Sequence, residues 1–156
     1  METHDFINGC IAMERATELV YSNFMQLFPQ EKDFWGDLVK DEMGHSSFLI
    51  DADNHGLFDK LKITYSPFSM SLLEKTIKFA QNINNQIRFN PVSFKDALTM
   101  ALKLEESILE TFANNLMGAL LTDPKESAFD KLLSETRLHA DKIRDMMIKK
   151  GFLKLS

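Results

Sequence analysis

Residues 32–53, KDFWGDLVKDEMGHSSFLIDAD, form one helical stretch whose inward stripe turns polar at its centre. Trp35, Leu38, Glu42, His45, Leu49 and Ala52 follow at steps of three and four, which keeps them on one face of an α-helix. Apolar residues stand at both ends of that stripe, and a carboxylate and an imidazole stand in the middle. A surface helix has no reason to place ionisable groups there, so this stretch sets two questions: what packs against it, and what neutralises its centre.

Helices are predicted on both sides of it. The first runs from about Asp5 to Phe28 and stops at Pro29; the second covers Lys32 to Asp53 and ends in the turn signal Asn54-His55-Gly56. Ser71 and Glu74 have capping-box spacing and mark the start of a third helix, fading near Asn90-Pro91. Ser93 with Asp96 opens a fourth, reaching about Leu120. Asp123-Pro124, followed by Glu126, opens a fifth that ends at Lys149-Lys150-Gly151. Short links join helices one to two and four to five, which makes each pair an antiparallel hairpin. About forty residues, from Asn54 to Val92, connect the hairpins and carry a helix of their own. A link that long returns the chain to the same end before the second hairpin begins.

Composition narrows the function classes. With 156 residues, 44% hydrophobic and 26% charged, the chain fits a single globular domain. A formal net charge of −5 without clustered Lys and Arg argues against a nucleic-acid partner. The one cysteine, Cys10, excludes an intrachain disulfide, a CxxC redox pair and a four-cysteine metal site. The opening METHDFINGC has no signal-peptide pattern and no stretch is apolar enough for a bilayer, so the expected setting is the cytoplasm, away from membranes. Isolated glycines rule out a phosphate loop or dinucleotide fingerprint.

The remaining long helices repeat the pattern of the second. Helix one gives Ile7, Cys10, Glu14, Thr17, Tyr21, Phe24 and Phe28; helix four gives Phe94, Leu98, Ala101, Glu105, Ile108, Phe112 and Asn115. Helix five gives Phe129, Leu132, Thr136, His139, Ile143 and Met146. Glu14, Glu42, His45, Glu105 and His139 thus fall at comparable depth in one core. An unpaired carboxylate in a dry core costs several kcal/mol, and three in one layer repel one another. A pair of divalent cations bound by Glu and His removes both problems. Glu42-Met43-Gly44-His45 has the spacing that lets two ligands on one helix reach one ion.

The segments Glu14-Arg15-Ala16 with Tyr21, Asp41-Glu42-Met43-Gly44-His45, Ala101 to Ser107 (ALKLEES) and Glu135-Thr136-Arg137-Leu138-His139-Ala140 resemble the rubrerythrin-like branch of the ferritin-like superfamily. The likeness covers nearly the whole chain in short motifs. It implies an all-α, ferritin-like four-helix bundle with an extra helix in the crossover, and a non-haem di-iron centre reacting with peroxide or dioxygen or oxidising ferrous iron. Manganese is the alternative metal. The implied ligands are Glu14, Glu42, His45, Glu105 and His139, with Tyr21 behind them. The chain departs from the pattern at Thr136, where a second Glu-x-x-His would carry its Glu; Glu135, one residue aside, is the candidate sixth ligand. No cysteine-rich rubredoxin module is present, so any reductant is an external electron donor.

The rival expectation is a non-catalytic bundle used for dimerisation or partner binding, its polar layer a metal-free remnant in which His45 and His139 are protonated against the glutamates. The crossover helix bears on that: Leu72, Leu73, Ile77, Ala80, Ile83 and Ile87 give it a wide apolar face, suited to a homodimer contact or to covering its own bundle.

Overall fold

The structure, a computed structural model, describes residues 3–56, 67–120 and 127–154. Among these residues there are five α-helices: α1 (Thr3–Leu27), α2 (Lys32–Asn54), α3 (Pro67–Gln86), α4 (Phe94–Leu120) and α5 (Ser127–Lys149). Among the described residues there is no strand, and no helix is long and apolar enough to cross a membrane.

Chain direction follows from which residues meet. Glu14 lies by His45, and Phe24 by Trp35, so α1 and α2 run antiparallel across the single 3-10 turn Pro29–Glu31. Glu105 lies by His139, and Phe94 by Phe152, so α4 and α5 are antiparallel too. Tyr21 against Glu105 and Phe28 against Phe94 set α1 antiparallel to α4. Asp37 against Lys142 and His45 against Glu135 do the same for α2 and α5. The two hairpins therefore face each other, and the long connection joins two parallel helices, α2 and α4.

α3 covers the seam between α1 and α4. Leu73, Ala80 and Ile83 are buried there, with Leu72 at its edge, so the apolar face of the crossover helix is spent on its own chain. Its buried polar groups are matched as well. Asn84 accepts from Asn23 at 2.9 Å, and the Thr76 hydroxyl shares hydrogen bonds with Ser107 and Thr111 at 2.6 and 3.2 Å. The helix begins at Pro67, four residues before the expected Ser71, because a proline in the first turn needs no amide partner and is already set at helical φ. Ser71-x-x-Glu74 is then an internal spacing, not a cap.

The other ends follow their local chemistry. The Ser93 hydroxyl accepts the Asp96 amide at 3.0 Å, capping α4 as its sequence predicts. At the end of α5, Gly151 turns at φ +76°, Phe152 N–H reaches back to the Met147 carbonyl at 2.8 Å and Gly151 N–H to Ile148 at 3.0 Å. That is a Schellman stop, with Phe152 folded onto the helix it ends. Met147, rather than the expected Met146, is the buried one of the pair. The Asp123-Pro124 start of the fifth helix and the stripe positions Asn115 and Phe129 lie outside the side chains described.

Aromatic rings close one end of the bundle. Trp35 is fully buried between Tyr21 (5.8 Å between centroids), Phe24 (4.9 Å), Phe34 (4.9 Å) and Phe94 (6.1 Å). These residues come from three helices and leave water little room to reach the middle from that side. At the far end α3 sits close on α1: a Cβ at Gly9 would stand 2.5 Å from Leu73 Cδ2. Gly9→Val should therefore destabilise the fold by ~1–3 kcal/mol through overpacking, read as a lower urea midpoint at unchanged m-value. An unshifted midpoint would mean that α3 does not pack here.

Candidate metal centre

Each side chain of the polar layer is held at depth by buried neighbours about one helical turn away. Glu14 stands between Cys10 and Thr17 on α1, Glu42 and His45 between Leu38 and Leu49 on α2, Glu105 between Ala101 and Ile108 on α4, and His139 between Thr136 and Ile143 on α5, all of them buried. Periodicity alone gives this placement, since the flanking residues can be buried only if the central ones are buried with them.

The five groups converge. His45 Nδ1 is 3.4 Å from Glu14 Oε2 and 3.6 Å from Glu42 Oε2. His139 Nδ1 is 3.2 Å from Glu42 Oε1 and 3.3 Å from Glu105 Oε1. This makes two triads, Glu14–Glu42–His45 and Glu42–Glu105–His139, each with ligand atoms within 4.8 Å of one another and all buried. Glu42 belongs to both, one oxygen to each. The imidazole rings lie side by side, 5.3 Å between centroids and 22° from parallel.

The outer edges of the imidazoles are clasped reciprocally. His45 Nε2 meets Glu135 Oε2 of α5 at 2.6 Å, and His139 Nε2 meets Asp41 Oδ2 of α2 at 3.0 Å. Asp41 and Glu135 each stand four residues before the histidine of their own helix and hold the histidine of the other. A carboxylate on Nε2–H fixes the tautomer of the neutral ring, which would then present the Nδ1 lone pair inward. Sequence reading picked Glu135 as a candidate sixth ligand; it lies on the outside of His45, in neither triad. It also gave Asp41 no role. The signal was present in the repeated acid-x-x-x-His spacing of the two helices. Tyr21 stands where it was expected, donating its hydroxyl to Glu105 Oε1.

Electrostatics define the metal-free layer. Burial alone would lower the histidines, but hydrogen bonds and charge from Glu14 and Glu42 hold His45 up at about 11. The same balance, set by Glu105 and Glu42, holds His139 at about 10. Burial first, and then repulsion from Glu42, push Glu14 well above the ordinary carboxylate range. Without metal the two imidazoles carry the layer's positive charge, and burial disfavours the ionised form of Glu14. No Lys or Arg is buried among the described residues to share that work.

The donor set fits metal ions better than it fits hydrogen bonds among its own members. Glu14 Oε1, Glu42 Oε2 and Glu105 Oε2 are buried without a hydrogen-bond partner. Nearby hydroxyls do not serve them: Thr17, Ser46 and Thr136 donate to the carbonyls of Met13, Glu42 and Leu132 on their own helices. Ligand bonds of about 2.0–2.2 Å put neighbouring donors about 3 Å apart at right angles and about 4.4 Å apart across the ion. The 3.2–3.6 Å separations within the triads fall inside that range. The two buried Glu/His groups can therefore each hold a metal ion.

A cleft of about 410 Å³ between α2 and α5 reaches this layer from the surface. Asp41, His45, Glu135 and His139 line it, and Gly44 adds no side chain to its wall. His55 is in an exposed turn, its Nδ1–H bonded to the Asp51 carbonyl, away from the layer. Cys10 is buried, its thiol pushed up by burial and by Glu14, as expected of a core thiol. No family model, curated protein or solved structure matches the chain.

In the metal-free protein, the stability that the two histidines contribute is complete below their ordinary value of 6.5 and is lost as pH rises through about 10 and 11. Histidine-selective 15N NMR should find both rings still imidazolium at pH 8 once metal is stripped. A transition near 6.5 for either ring would contradict the packing described.

Proposed function

We propose that this chain is a ferritin-like, rubrerythrin-type bundle whose polar layer binds two divalent metal ions, iron before manganese, for reaction with peroxide or dioxygen or for oxidation of ferrous iron. The observation that carries this reading is the position of Glu42 in both triads, as a carboxylate bridging two ions would be placed. Mixed carboxylate and imidazole ligands suit iron and manganese. A bound iron pair supplies Lewis acidity and accessible redox states.

The chain's own residues do the rest. Glu14 and His45 complete one site; Glu105 and His139 complete the other. Asp41 and Glu135 orient the imidazoles, and Tyr21 holds Glu105. The aromatic plug and α3 keep water from the layer, so access is by way of the α2–α5 cleft. With a single, buried cysteine the described residues offer no second redox centre, and the reductant comes from an external donor. Because α3 is covered within the chain, a homodimer would use another surface.

One observation favours the rival, a metal-free bundle serving in assembly: with both imidazoles protonated, the layer offsets glutamate charge without a cation. Metal stoichiometry separates the two readings. Protein made with added iron, purified anaerobically without a histidine tag, should carry about two irons per chain by plasma mass spectrometry. Glu42→Gln should weaken both sites, while His45→Ala and His139→Ala each remove about one ion and leave helicity by circular dichroism intact. Near-zero metal after ferrous titration would leave only the bundle.

The clasp gives a crossed result. Asp41→Asn should weaken the ion at His139, on the opposite helix, by about 10–100-fold, and Glu135→Gln the ion at His45 by a similar factor. Competition with a chromophoric chelator reads both; equal effects on the two ions would contradict the clasp.

A further inference from the structure

α1 and α4 bring the same series of residues to the polar layer, with one difference. Seven residues after its glutamate, α1 carries Tyr21 and α4 carries Phe112. The two helices run antiparallel, in a register fixed by Tyr21 against Glu105 and Phe28 against Phe94. That register sets Phe112 opposite Glu14 as it sets Tyr21 opposite Glu105. Both rings are buried, but the tyrosine alone brings a hydroxyl.

The two triads are otherwise built alike. Each has a glutamate of its own, one oxygen of Glu42 and one imidazole, and each imidazole is clasped from the facing helix. Glu105 also accepts the Tyr21 hydroxyl on Oε1, the oxygen that lies 3.3 Å from His139 Nδ1. Glu14 has no such donor. Its Oε2 lies 3.4 Å from His45 Nδ1, and its Oε1 is buried without a hydrogen-bond partner. Thr17, one turn along α1, gives its hydroxyl to the Met13 carbonyl.

Magnitudes decide what this does to metal binding. A partner that orients a ligand is worth about 10–100-fold in metal affinity. The clasps act in the opposite sense, since Glu135 meets His45 at 2.6 Å and Asp41 meets His139 at 3.0 Å. Both clasp carboxylates stand at the cleft, however, with side chains 36% and 53% exposed, where water weakens a small difference between them. Tyr21 is fully buried, and its hydrogen bond is present at one site and missing at the other. The hydroxyl outweighs the clasps.

We propose that the two metal sites are unequal: Glu42–Glu105–His139 fills first and retains its ion, and Glu14–Glu42–His45 fills second and exchanges its ion with solution. This rests on the two-metal reading above. Tyr21 is a positioning residue that holds Glu105 with an oxygen toward His139 before any ion arrives. Glu14 is left to be organised by the second ion. A chain short of metal then holds one ion, on residues of α2, α4 and α5, and α1 contributes only the Tyr21 hydroxyl.

Two cations on one carboxylate repel each other, so weaker binding of a second ion does not by itself distinguish the sites; they are compared one at a time. Cobalt(II) is titrated into full-length His45→Ala, which keeps the Glu105 site, and His139→Ala, which keeps the Glu14 site. A chromophoric chelator competes, and circular dichroism checks folding. The ion in His45→Ala should bind about 10–100-fold more tightly than the ion in His139→Ala. Tyr21→Phe, which removes the hydroxyl and keeps the ring, should weaken binding in His45→Ala by about that factor and in His139→Ala much less. A merely structural role for Tyr21 would weaken both alike. In the parent chain, one equivalent of diamagnetic zinc(II) should shift the 15N resonances of His139 before those of His45. Equal affinities, a tighter ion in His139→Ala, equal losses on Tyr21→Phe, or His45 shifting first would each overturn the proposal and leave the metal pair standing. Failure of the parent chain to take up cobalt overturns the two-metal reading and this proposal with it.

Discussion

Neutralising three buried glutamates is the constraint around which this fold is arranged. Glu14, Glu42 and Glu105 come from three different helices and meet where water is excluded, and no lysine or arginine is buried among the described residues to balance them. Only His45 and His139 are at hand. Either the imidazoles take up protons or cations take their place, and each answer requires the same four helices to stay within a few ångströms of one another. The polar layer therefore fixes the register between helices more sharply than apolar packing could, since a slip of one position would leave a bare carboxylate in the core.

The rest of the architecture serves that layer. The ring cluster around Trp35 seals the end where α1 and α5 finish and α2 and α4 begin, and α3 roofs the seam between α1 and α4. The α2–α5 seam is open, with Gly44 in its wall. That seam carries both clasps, so the residues that orient the imidazoles are also those that solvent and solutes meet first.

Much of this was legible in the residue order, because helical periodicity is a strong signal and a polar residue inside an apolar stripe has few explanations. The hairpins, the crossover helix and the layer of Glu14, Glu42, His45, Glu105 and His139 were all readable from steps of three and four. Less was readable where a residue's partner lies on another helix. Asp41 and Glu135 fall just off the inward stripe and look like ordinary solvated acids until α2 and α5 are placed face to face. The start of α3 was misread for a different reason: Ser71-x-x-Glu74 satisfies a capping rule that also holds by chance within a helix, whereas Pro67 was the stronger stop on upstream helix. The use of the apolar face of α3 could not be read at all, since a helix looks the same from sequence whether its own bundle or a second copy covers it.

Clasping in both directions makes the layer a cooperative unit rather than five separate ligands. Asp41 on α2 sets the ring on α5, and Glu135 on α5 sets the ring on α2, so neither histidine can turn without releasing a carboxylate on the facing helix. Such mutual support tolerates one departure from symmetry better than a chain of independent contacts would. Thr136 is that departure. It keeps the shape of the core, satisfies its own hydroxyl within the helix, and leaves both clasps intact, while removing a negative charge from one side of the layer. Both clasps are made with threonine at this position, so a carboxylate there is not needed to hold the layer together.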